Sequence, residues 1–154
     1  MADFTVTRTV HIEAAPSVVH ALVDDFRRWR NWSPWEDVDP HLARSYTGSE
    51  SGVGARYDWR GNAKAGAGSM EITASEPTRI SIVLQFLKPW KATNEVAFTL
   101  EPAGTATTVT WTMSGTHRGL GRLFALVMSM DTIVGKDFEK GLARLKQLAE
   151  SPAG

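Results

Sequence analysis

From residue 3 to residue 13 the chain alternates. Phe4, Val6, Arg8, Val10 and Ile12 fall on one face, and Asp3, Thr5, Thr7, Thr9, His11 and Glu13 on the other, the pattern of a half-buried antiparallel strand. Ala15-Pro16-Ser17 then offers a helix start, because proline is tolerated in a first turn, and Val18, Val19, Leu22 and Val23 carry a short apolar face as far as Asp24. A second short helix is expected from Asp24 or Asp25 as N-cap, through Phe26 and Trp29, with Pro34 stopping it. Beyond it, turn residues recur at short intervals and every interval has period two. Arg44 to Thr47, Ala55 to Arg60, Gly68 to Ser75, Arg79 to Leu87, Ala92 to Glu101 and Thr105 to Gly115 read as six strands, and connections this short make neighbours antiparallel. The last segment changes period. At about 100° per residue, Leu120, Leu123, Phe124, Met130, Val134, Phe138, Leu142, Leu145 and Leu148 fall within about 60° of one line, a wide apolar stripe on a long helix.

The sum is an α+β chain: a seven-stranded antiparallel sheet, two short helices between strands one and two, and one long C-terminal helix. That terminal helix is the only element long enough to cover the apolar face of the sheet. A curved sheet gripping a straight helix does not touch it along its whole length, so one end is expected to be hollow. The inward candidates are Tyr57, Trp59, Met70, Ile72, Ile82, Leu84, Phe86, Phe98, Val109, Trp111 and Met113. Met128 and Met130 stand opposite on the helix.

Two polar residues are out of place for a dry core. Asn94 keeps the parity of Val96, Phe98 and Leu100, and Asp131 lies only about 40° from the centre of the helix stripe. Asn94 reads either as a strand-end residue bonded to backbone or as a polar group in the hollow. Asp131 reads either as the cap of a turn restarted near Gly135 or as a carboxylate facing the hollow.

Composition narrows the rest. The 154 residues carry 17 Lys+Arg against 17 Asp+Glu, no Cys and six Trp. A chain of this length buries roughly 68–70% of its unfolded surface, enough for one domain spanning residues 1–154 without disulfides. Zero net charge argues against nucleic-acid wrapping even where Arg27, Arg28 and Arg30 flank Trp29 and Trp32. The absence of Cys excludes thiol catalysis. No run approaches the roughly 20 apolar residues of a membrane span, and the opening residues do not read as a signal peptide, so a soluble cytoplasmic protein with no integral membrane association is expected.

Several stretches carry a resemblance: Trp29-Arg30-Asn31-Trp32-Ser33-Pro34-Trp35-Glu36, Gly52-Val53-Gly54-Ala55, Gly68-Ser69-Met70-Glu71-Ile72, and Gly135 through Lys146. Together they resemble the polyketide cyclase/dehydrase group of the START/Bet v 1-like (SRPBCC) superfamily over almost the whole chain. The resemblance implies a helix-grip fold with a deep apolar cavity between the sheet and the terminal helix. It specifies fold more than activity, since the superfamily spans lipid carriers, receptors, cyclases and co-chaperones. Trp32 and Trp35 read as plugs at the side or mouth of that cavity.

No other chemistry asserts itself. The four His at 11, 20, 41 and 117 form no pair at helical ligand spacing, so no metal is expected, and neither a phosphate-binding glycine loop nor Gly-x-Ser-x-Gly occurs, so no cofactor is expected. His11 and Glu13 share the polar strand face as a solvated pair. The expectation is a monomer or weak homodimer binding a hydrophobic, lipid- or polyketide-like molecule against Trp32, Trp35, Tyr57, Trp59, Met70, Ile72, Leu84, Phe86, Asn94, Phe98, Trp111, Met113, Val127, Met130, Asp131 and Val134. Two alternatives stand beside it. One is a cyclase or dehydratase with Asp131 as base and Tyr57 or Asn94 as donor. The other is a protein-interaction module using an apolar patch around Val83 and Leu87.

Overall fold

The computed structural model describes residues 4–37, 39–62, 66–88, 91–115 and 124–151, and within these the side chains of all but residues 4, 36, 37 and 124–133. Strand β1 (Phe4–Ile12) leads into helix α1 (Pro16–Val23) and two 3₁₀ turns, Arg28–Asn31 and Pro34–Asp37. Strands β2 (Ala43–Gly48), β3 (Ala55–Arg60), β4 (Ala67–Glu76), β5 (Arg79–Lys88), β6 (Ala92–Ala103) and β7 (Ala106–Gly115) follow, and helix α2 (Phe124–Ala149) closes the order. The sheet is antiparallel throughout, in the order β1-β7-β6-β5-β4-β3-β2. Consecutive strands pair as short hairpin loops require, and β1 returns to the far edge beside β7.

Helix α2 runs alongside β1 in the same direction. Arg8 Nε donates to Glu139 Oε2 at 2.8 Å, Lys146 Nζ to the His11 carbonyl at 2.9 Å, and the Glu13 amide to Glu150 Oε2 at 2.7 Å. The first turns of α2 therefore lie toward the rim where β1 begins and where Phe4 pairs with Gly115. Phe138, Leu142 and Leu145 are buried, as the 3.6-residue stripe requires. Two glycines set how closely the helix approaches the sheet. A Cβ on Gly141 would stand 2.9 Å from Pro34 Cδ and 3.0 Å from Trp111 Cζ3, and one on Gly135 would collide with the Arg8 guanidinium.

The segment between α1 and β2 departs from the expected second helix. Asp24 closes α1 as its C-cap, and the 3₁₀ turn that follows has Arg27 at its N-cap, so neither Asp24 nor Asp25 opens it. Pro34 begins the second 3₁₀ turn where it was expected to end a helix. The cause is tertiary: Trp29 Nε1 donates to the Val23 carbonyl at 2.7 Å and Trp32 Nε1 to the Leu22 carbonyl at 3.0 Å. The two indoles satisfy carbonyls that the end of α1 leaves open, which draws the chain into tight turns. A second departure lies in β4. Ile72 pairs with Ile82 but Ala74 with Ser81, so Thr73 is an extra residue and the strict alternation read across Gly68 to Ser75 breaks there.

Candidate functional site

One half of the concave face is filled by rings. Trp111 stacks on Phe98 at 4.8 Å and on Phe138 of α2 at 4.0 Å, while Trp29, Trp32 and Trp35 meet Trp111 edge-on at 6.1, 5.6 and 5.6 Å. Trp32 is fully buried and Trp35 is 38% exposed at the outer margin of this cluster. Ile72, Ile80, Ile82, Phe98 and Leu100 complete a closed interior. Trp111 Nε1 lies inside it with no hydrogen-bond partner among the described residues.

Toward the other end, burial falls along β3, β4 and β5, while Asn94 on β6 and Met113 on β7 stay buried. On β5, Ile80 and Ile82 are closed off while Leu84 and Phe86 are half-buried; on β4, Ile72 gives way to Met70, and on β3, Ala55 and Tyr57 give way to Trp59. These residues adjoin one another through the ladder, with Tyr57 opposite Met70, Met70 opposite Leu84, Gly68 opposite both Trp59 and Phe86, and Leu84 opposite Asn94. Gly68 is what lets Trp59 lie flat against the sheet, because a Cβ there would stand 2.6 Å from Trp59 Cη2 and closer still to the Gln85 carbonyl. Phe86 meets the Trp59 ring edge-on at 5.9 Å, and Tyr57 stacks on it at 6.1 Å.

Asn94 is the polar group of this wall. It is buried, its Nδ2 lies 3.9 Å from Met113 Sδ, and its Oδ1 has no hydrogen-bond partner among the described residues. A buried amide oxygen in that condition costs about 1–3 kcal/mol. The arrangement suits a flat or elongated apolar molecule with a hydrogen-bond donor at one point.

The structure brings Tyr57, Trp59, Met70, Leu84, Phe86, Asn94 and Met113 into this one wall. It places Trp32, Phe98, Trp111 and Ile72 in the closed half. Val134 is half-buried against the core from α2. Val127, Met130 and Asp131 belong to α2, but their side chains lie outside the described residues, as does His117. Sequence reasoning missed Arg8, whose guanidinium is held over Gly135, and Tyr46, which meets Tyr57 at 5.2 Å and has the Arg27 guanidinium carbon 5.1 Å from its ring centroid. The parity Arg44/Tyr46 on β2 was the available signal. His11 and Glu13 pair in solvent at 2.9 Å, as their shared face predicts. Val83 is half-buried and Leu87 exposed on the convex face. A trough of about 330 Å³ on that face lies between Arg79 and Glu95 and is ringed by Thr73, Ser81, Thr99, Thr112 and Ser114. Among the described residues no three His, Asp or Glu converge as metal ligands, and no helix is long and apolar enough to cross a membrane.

A seven-stranded antiparallel sheet closed by a C-terminal helix is the helix-grip architecture, and the class is that of START/Bet v 1-like proteins. Residues 3–150 match the family described as polyketide cyclase / dehydrase and lipid transport, and the chain belongs to it. Solved structures share the fold at low identity. Protein CV1439 from Chromobacterium violaceum superposes with a TM-score of 0.68 at 14% identity, covering 96% of this chain and 97% of that one. The Aha1 dimer from Colwellia psychrerythraea gives 0.64 at 20% identity, covering 97% and 98%. DynU16, of the dynemicin biosynthetic locus, gives 0.64 at 22% identity over 97% of this chain and 48% of its own. No curated protein sequence matches the chain.

Proposed function

We propose that this protein, acting as one cytoplasmic domain and as a monomer or weak homodimer, binds a hydrophobic small molecule of lipid or polyketide type. The ligand lies between the first half of α2 and the wall formed by Trp59, Met70, Leu84, Phe86 and Asn94. The observation that carries the reading is the gradient of burial on a single sheet face. On β3, β4 and β5 inward apolar side chains that are sealed at one end are half-open at the other, and beside them the buried Asn94 Oδ1 has no hydrogen-bond partner among the described residues. The family's description, which names lipid transport beside polyketide chemistry, supports the same class of ligand. No cofactor enters this function.

The test is a fluorescence titration that uses Trp59 as reporter, with a long-chain fatty acid and a fused-ring phenol as probes. Saturable quenching is expected for at least one probe, and it is lost in Leu84→Arg while circular dichroism is unchanged. Linear, unsaturable quenching by both probes, or saturation that survives in Leu84→Arg, overturns the reading. The family description also favours a second reading, a cyclase or dehydratase with Asp131 as its base. Asp131→Asn separates the two: a carrier keeps its affinity and loses nothing, whereas an enzyme keeps its affinity and loses turnover.

A further inference from the structure

Away from that wall, where α1 meets the far end of β4, three side chains form a line. Ser75 Oγ lies 3.1 Å from His20 Nε2, and His20 Nδ1 lies 3.5 Å from Asp24 Oδ2. Asp24, the C-cap of α1, lies one helical turn beyond His20, and their side chains are 16% and 22% exposed, so the pair is sheltered but reachable. Ser75 reaches them because of the bulge at Thr73. The extra residue shifts the alternation, so Ser75 pairs with buried Ile80 and faces inward toward α1, where an unbroken ladder would turn it out. The surroundings are fixed on a third side as well. The Gly52 amide donates to the Asp24 carbonyl and the Gly54 amide to the Ile72 carbonyl, both at 2.9 Å, pinning the β2–β3 loop across the crevice.

We propose that Ser75, His20 and Asp24 form an acyl-transfer triad that accepts a small carboxylic ester. A nucleophile, a base within hydrogen-bond reach and a third group orienting the base are what such chemistry requires, and the constellation is recognised by geometry, not by chain order or motif. With the ring proton on Nδ1 facing Asp24, Nε2 accepts the Ser75 hydroxyl proton as Oγ bonds to the ester carbonyl carbon. The carbon–alkoxide bond then breaks, and the alkoxide takes that proton from Nε2 and leaves as the alcohol. Water repeats the sequence on the acyl-serine, its proton passing through Nε2, and the carboxylic acid departs with Ser75 restored. Because the loop amides of Gly52 and Gly54 are already engaged, the acceleration rests on proton transfer to His20. General-base assistance of this kind contributes about 10²–10⁴-fold.

The experiment treats the intact protein with a fluorophosphonate, which forms an Oγ–P bond and expels fluoride, and maps the adduct by mass spectrometry beside p-nitrophenyl acetate turnover. The expected result is one adduct, on Ser75, absent in Ser75→Ala and formed at least about a hundredfold more slowly in His20→Gln. Thermal melts of both variants serve as the control for folding. Since the chain contains no Cys, Ser75→Cys would carry the sole thiol, and its alkylation rate against pH gives a second measurement. A triad partner depresses that thiol below the free value of about 8.5. No adduct at Ser75, an equal rate in His20→Gln, or an unshifted thiol overturns the proposal and leaves the three residues as a latch between α1 and β4.

Discussion

The rings of Trp111 on β7 and Phe138 on α2 lie face to face, 4.0 Å between centroids and 5° from parallel. This stack is where the helix is clamped to the sheet. It is enclosed by Trp29, Trp32, Trp35 and Phe98, so truncating it leaves a void that the surrounding rings are too rigid to refill. Phe138→Ala is expected to lower stability by about 3–5 kcal/mol, and Phe138→Leu by distinctly less. Urea unfolding monitored by far-ultraviolet circular dichroism measures both. Equal and small losses would mean that the clamp lies elsewhere.

The two helix glycines respond oppositely to the same substitution. Alanine at an interior helix position gains up to about 1 kcal/mol over glycine from propensity alone. At Gly141 the new methyl meets the Pro34 ring and Trp111, neither of which moves freely, and overpacking there costs about 1–3 kcal/mol. At Gly135 the nearest atoms it meets are those of the Arg8 guanidinium, the end of a long side chain that swings away at the cost of its bonds to Glu139 and the Thr7 carbonyl. Gly141→Ala is therefore expected to lower the melting temperature and Gly135→Ala to leave it nearly unchanged. Differential scanning calorimetry decides, and a stabilised Gly141→Ala would show that the helix stands off from the sheet.

Period and turn chemistry sufficed for the sheet because each strand's alternation answers to one buried face, and a slip by one residue would expose all of it. Ile82, Phe98, Leu100, Val109 and Trp111 were legible for that reason. The turns at Arg28–Asn31 and Pro34–Asp37 were not. Their geometry comes from the Trp29 and Trp32 indoles reaching back to carbonyls of α1, a contact without a local signature. The bulge at Thr73 was hidden likewise, since Ile72-Thr73-Ala74-Ser75 carries no glycine to mark it, and with it went the facing of Ser75 toward His20. Of the candidate wall, parity supplied Trp59, Met70, Leu84, Phe86 and Asn94. Which of them stay half-open depends on how far α2 extends over them, a property of three dimensions.

Asn94 sets stability against recognition. Its buried Oδ1 has no partner among the described residues, so replacing the amide with a hydrocarbon of similar size removes a desolvation penalty. Asn94→Leu is expected to raise stability by about 1 kcal/mol while weakening a hydroxyl-bearing ligand about tenfold, the loss of one hydrogen bond. The same change leaves a pure hydrocarbon probe bound as before or tighter. Parallel chemical denaturation and fluorescence titration test the two halves together. A destabilised variant with unaltered selectivity would remove Asn94 from the site.

The far end of the grip is electrostatic and answers to pH. Lys146 Nζ contacts Glu150 Oε2 at 2.6 Å, and the Glu13 amide donates to the same oxygen at 2.7 Å, tying the end of α2 to the end of β1. The Lys146 hydrogen bond, with the Glu13 amide behind it, holds the Glu150 carboxyl below its ordinary value of 4.5. A carboxylate lowered by folding stabilises the fold above its unfolded value, and that contribution disappears as pH falls through the lowered one. Wild type and Glu150→Gln are thus expected to differ most at neutral pH, with wild type the more stable. Their melting temperatures should converge as pH falls through that lowered value, with the protection factors of the Leu148 and Ala149 amides falling in wild type over the same window. Added salt narrows the neutral-pH gap, because the pair lies near the surface. Melting curves that stay parallel from pH 7 to pH 3 would show that the tie contributes nothing to holding the helix end in place.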